Sequence, residues 1–160
     1  MAVTQTDIRQ VQTMVDTIVS HKAWGASLGV GSFITLEFGN PLPSNGEHQQ
    51  THGEWHLWIY CCAWRIEEGN EVLASSEDPR AKIELAVRRL EGLALNSIQL
   101  MPPAWDTVFN FDEEVFLRSF SIYSEESEHW MLYMPNGKVL SVGPGSSWSC
   151  ESSALANYVV

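Results

Sequence analysis

The run from Glu54 to Ile66 constrains the fold of this chain more than any other feature. Trp55, Leu57, Ile59, Cys61 and Ala63 alternate with His56, Trp58, Tyr60, Cys62 and Trp64, the two-residue period of an extended strand. Both sets are largely apolar, so the spacing predicts one long central strand covered on both faces. Its neighbours read as strands too. Ser32 to Phe38 alternates in the same way, and the Glu67–Glu71 turn leads into a short strand at Val72–Ser75, which predicts a hairpin. Leu93 to Met101 predicts another strand, ended by Pro102 and Pro103. The remainder reads as a meander with strands at Thr107–Phe111, Val115–Tyr123, His129–Met134 and Lys138–Val142. Pro135-Asn136-Gly137 is its clearest turn signal, because Asn-Gly accepts the positive φ angles of a tight hairpin. Gly143 to Ser153 is rich in Gly and Ser and predicts an irregular tail.

Two segments predict helices. From Thr4 to Lys22, the residues Ile8, Val11, Val15, Ile18 and Val19 form an apolar stripe, and Thr4 with Asp7 resembles a capping pair. From Pro79 to Glu91, Ile83, Val87 and Leu90 form the stripe, with Asp78 placed as N-cap, Pro79 at the first position and Gly92 at the exit. Two helices among strands with short links predict an α+β domain. The expected form is a mostly antiparallel curved sheet, or partial barrel, with both helices packed on it. Residues 1–160 read as a single domain, with a long polar loop over 39–53 and an irregular tail over 143–160. No sequence repeat is convincing.

Composition limits what such a domain does. A chain of 160 residues buries roughly 68–70% of its unfolded surface, so it needs neither disulfide nor metal to fold. The formal charge of −11 repels nucleic-acid phosphates and anionic membrane surfaces, and steers a basic partner. No signal pattern opens the chain and no apolar run approaches the length of a membrane span, which predicts a cytoplasmic protein. Three cysteines, Cys61, Cys62 and Cys150, make no disulfide framework and read as reduced thiols. Seven tryptophans are many, and any left at the surface are candidate contact residues. Trp105 and Trp148, in irregular segments, are the partner-binding candidates.

Chemistry-bearing residues concentrate in the long loop. His48, His52 and His56, with Glu47 just ahead of them and Glu54 among them, offer imidazole and carboxylate ligands of the kind that hold zinc or nickel. Against this stand the Gly-rich, non-helical context and the alternative of a solvated polar loop. His129 near Glu125, Glu126 and Glu128 reads as an acidic turn, since nothing places two of these groups across a cleft. Gly143–Trp148 lacks the lysine and spacing of a phosphate loop. No residue is assigned a catalytic role and no cofactor is expected. The second helix holds Arg80, Lys82, Arg88 and Arg89, a basic side on an acidic body that suits self-association.

Trp130–Lys138, the following Val142-Gly143-Pro144-Gly145 and the Glu54–Ile66 run resemble small uncharacterised bacterial β-rich proteins, some of them similar to immunity proteins. Immunity proteins bind and block a partner toxin, so the resemblance implies protein binding and transfers no catalytic residue. The expected function is therefore a non-enzymatic protein-binding domain that meets its partner through a sheet face or the long loop. The alternatives are a metal-dependent enzyme at His48, His52 and His56, and a structural homo-oligomer.

Overall fold

The computed structural model describes residues 2–43 and 51–153. Helix α1 spans Gln5–Val15 and a 3-10 turn continues it over Asp16–Ile18. Strands β1 (Trp24–Leu28), β2 (Ile34–Pro41), β3 (Gly53–Ile59), β4 (Cys62–Glu68) and β5 (Glu71–Ser75) follow. Helix α2 (Arg80–Arg88) then precedes β6 (Leu95–Met101), β7 (Asp106–Phe111), β8 (Val115–Ser121), β9 (Trp130–Tyr133), β10 (Lys138–Val142) and β11 (Trp148–Ser152). The strands form two antiparallel sheets, β1-β2-β3-β9-β10-β11 and β5-β4-β8-β7-β6, and the fold is α+β as expected.

The helices close the seams between the sheets. Helix α2 packs on β1 at one edge of the first sheet and on β5 at one edge of the second. Helix α1 packs on β6 at the other edge of the second sheet. It reaches β11, the far edge of the first, where Trp148 Nε1 donates to Asp7 Oδ1 at 3.2 Å. One continuous core fills the space between, with Leu36, Phe38, Leu57 and Leu132 from the first sheet and Trp64, Ile66, Phe109 and Leu117 from the second.

The strand order has an internal twofold logic. Exchanging β1–β5 for β6–β10 turns β1-β2-β3-β9-β10 into β6-β7-β8-β4-β5, which is the second sheet read in reverse. Each unit is a helix and three strands, followed by strands that cross into the other unit's sheet. The bridge between Lys22 and Ala94 joins the segments just ahead of β1 and β6, and so lies at the exchange axis. The registers carry the same relation. Trp130 sits opposite Ile59, and Trp64 opposite Ser119. Ile59 in turn pairs with Ile34, and Ser119 with Thr107. Each indole N–H donates across to the other sheet, near the start of its own unit's second strand, Trp64 to Ser32 O at 2.8 Å and Trp130 to Thr107 Oγ1 at 3.1 Å.

Several expectations are corrected. The Glu54–Ile66 run is not one strand: it breaks at Tyr60–Cys61 and serves both sheets. It is central in each, but only the inward set (Leu57, Ile59, Cys62, Trp64, Ile66) is buried, while His56 and Trp58 are half-buried and Arg65 exposed. The C-terminal meander likewise changes sheet between β8 and β9. The Thr4/Asp7 capping box forms, but α1 ends at Val15 and the 3-10 turn Asp16–Ile18 carries Ile18 into the core. Strand β1 was hidden by its Gly-Ala-Ser composition, and the tail holds β11. Pro79, not Asp78, is the cap of α2, because the Asp78 carboxylate accepts from Ser75 N at 2.8 Å.

Candidate functional site

Glu37 stands on the outward face of the first sheet, directly opposite His56 on β3 and Trp24 on β1. A bulge after Trp24 lets β1 fold over it. Gly25 there has φ +60°, and a Cβ on it would lie 3.0 Å from Glu37 Cγ. On the other side the register shifts between Phe38 and Pro41, so that Pro41 meets Gly53. A side chain at Gly53 would strike Phe38 O at 2.5 Å, so the turn back into β3 requires glycine there.

These two backbone devices sink the carboxylate and bring two histidines onto it. His56 Nδ1 lies 2.8 Å from Oε1 and 2.5 Å from Oε2 of Glu37. His52 Nδ1 lies 3.1 Å from Oε1, and Gly53 N–H donates to the same oxygen at 3.1 Å. The Glu37 side chain is 5% exposed, His56 18% and His52 53%. The imidazoles meet edge to face at 4.7 Å, and Tyr133 on β9 flanks His56 at 5.7 Å, with its hydroxyl raised by burial. Among the described residues no lysine or arginine pairs with Glu37; its side-chain contacts there are the two histidines.

The equivalent face of the second sheet is built differently. By register, Asn110 takes the place of Glu37, Phe116 that of His56 and Arg118 that of Trp58. Arg65 and Arg118 oppose one another across β4 and β8 and both bind Glu67, at 3.0 and 2.9 Å. Burial acts to raise the Glu67 carboxyl, but these two guanidiniums outweigh it and hold it below the usual range. Arg118 also lies 5.1 Å over the Phe116 ring. A shallow groove of about 450 Å³ runs along this face, lined by Ala63, Arg65, Met101, Asp106, Arg118 and Phe120 among others.

Of the sequence candidates, the structure brings together His52 and His56, and His48 lies outside the described residues. Trp105 is corrected: it is fully buried, with Nε1 donating to Ser146 O at 3.0 Å, and so presents no contact surface. Trp148 is half-buried against the core. Cys62 is buried and its thiol is pushed up to about 12 by desolvation, which leaves it inert as a nucleophile. His129 is not part of an exposed turn: it is fully buried, and neither ring nitrogen has a hydrogen bond of good geometry. A Cβ on Gly143 would lie 2.5 Å from its Cδ2.

The basic side expected on α2 is largely neutralised. Arg89 binds Glu68 and Glu113, Arg80 binds Glu84, and Lys82 binds Asp78. Arg89 thereby ties the β4–β5 turn to the turn between β7 and β8. Sequence reasoning missed Glu37, and the signal was faint: one carboxylate in the alternating strand Ile34–Phe38, on the same side as Thr35. None of the described helices is long and apolar enough to cross a membrane. No protein-family model matches the chain, and no curated protein or solved structure shows significant similarity to it.

Proposed function

We propose that the chain is a non-enzymatic protein-binding domain, immunity-like in kind, that meets a basic and apolar partner through the outer face of its second sheet. The observation that carries this reading is a set of large apolar side chains left in solvent: Met101 and Phe120 line the groove on that face, and Ile122 and Tyr123 follow just beyond β8. Phe120 is 61% exposed, Ile122 57%, Met101 40% and Tyr123 40%. Apolar residues grouped at a surface with polar neighbours mark contact sites more often than scattered ones do. Asp106 and Glu77 line the adjoining groove, where Arg65 and Arg118 are already paired with Glu67, and exposed Glu125 and Glu126 follow Tyr123 in sequence. With a formal charge of −11 behind it, this surface favours a partner whose apolar contacts are ringed by lysine or arginine.

Affinity capture with paired baits tests the reading. The wild-type chain and Phe120→Glu are presented to the same extract at ~50 and ~500 mM salt. A basic protein held by the wild type, lost with Phe120→Glu and weakened by salt is the expected result. Identical capture by both baits would contradict it. A mass that grows with concentration without any partner would replace it with the homo-oligomer.

A further inference from the structure

We infer that Glu37, His52 and His56 form a binding site for one divalent first-row transition ion of the zinc class. The site stands apart from the protein-binding reading and does not depend on it.

Three observations converge. First, one nitrogen from each histidine and one oxygen from Glu37 lie within 4.8 Å of one another. A shell with bonds of about 2.0–2.1 Å to nitrogen or oxygen has ligand–ligand edges of about 3.3 Å when tetrahedral. The two edges between Glu37 Oε1 and the histidine Nδ1 atoms, 3.1 and 2.8 Å, are close to that spacing. Second, two imidazoles and a carboxylate are the donor set that zinc, cobalt and nickel prefer, and three protein ligands leave a position for water or a ligand atom. Third, the carboxylate is buried, has no Lys or Arg partner among the described residues, and is held in place by the Gly53 N–H. A second contact fixing a ligating carboxylate is the usual outer-shell support of a metal centre.

The related corner of the second sheet carries Asn110 and Phe116 and packs without any such cluster. A bound ion competes with protons for imidazole and carboxylate ligands, so zinc affinity should weaken as the pH is lowered.

Titration with zinc alone, followed by calorimetry, and with cobalt alone, followed by visible absorption, tests the site on the untagged full chain. The expected result is one ion per chain with a Kd of about 10 μM or tighter, and a cobalt spectrum that zinc abolishes. His52→Ala, a half-exposed position that leaves the fold intact, should weaken zinc at least ~10-fold, and His56→Ala ~100-fold or more. Phe120→Glu should bind zinc as the wild type does. Absence of saturable binding up to ~100 μM zinc would overturn the proposal. So would equal affinity in the wild type and both histidine variants, since the ion would then sit elsewhere.

Discussion

The two halves of this molecule share a strand order and differ in what they display. In both, a helix precedes three strands, and the next strands cross into the other half's sheet. Most inward-facing positions are alike in kind: Leu36 and Phe38 correspond to Phe109 and Phe111, and Trp130 to Trp64, while the Ile34–Ile59 pair is replaced by Thr107–Ser119. Outward positions are not. One face carries Glu37, His56 and Trp58, and the other Asn110, Phe116 and Arg118. The inner set answers to packing between the sheets, where volume and shape decide. The outer set is free of that constraint, so its chemistry records use rather than folding.

The largest effect expected from this comparison lies inside. Trp130 meets Phe109 edge to face at 5.9 Å across the two sheets, and Trp64 is buried at the related position. Trp130→Ala and Trp64→Ala should each cost about 3–5 kcal/mol in urea unfolding. A small loss at one and a large loss at the other would break the equivalence of the halves.

A smaller effect should appear on acidification. Burial lowers His129 below the ordinary histidine value, opposed in part by the backbone at Gly145 and Cys61 and by the charges of Asp106 and Glu128. A histidine whose folded pKa is depressed keeps its full contribution above the unfolded value of about 6.5, and loses it as pH falls through the folded value. Stability of the wild type should therefore decline below about pH 6.5, and His129→Gln should flatten that part of the profile. An unchanged profile in the variant would assign the acid sensitivity elsewhere.

How much of this was legible in the sequence follows the same division. Hydrophobic alternation located most of the strands, and the Thr4/Asp7 box and the α2 stripe located the helices, because those signals are local. The switch of sheet inside Glu54–Ile66 was not legible, since a strand that bends from one sheet to another keeps its two-residue period. Strand β1 was lost for want of β-branched or aromatic residues beyond Trp24. His52 and His56 could be picked out by type and crowding. Glu37 could not, because what singles it out is burial beneath a bulge at Gly25 and a turn at Gly53, both set by long-range pairing. Trp105 misled for the same reason: an irregular segment can run through the core when its indole N–H finds a carbonyl, here Ser146 O.

The most direct test of the central claim, that the halves share one scaffold and differ in surface chemistry, transplants one face onto the other. In the double variant Glu37→Asn/His56→Phe the first sheet carries the residues found at the related positions of the second. Thermal unfolding at neutral pH is the measurement. The account predicts a cooperatively folded protein whose Tm lies within about 4 °C of the wild type or above it, because replacing a buried charged cluster with packed neutral groups is often neutral or stabilising. A chain that fails to fold, or that unfolds more than ~10 °C lower, would contradict it and make the Glu37 cluster part of what holds the fold together.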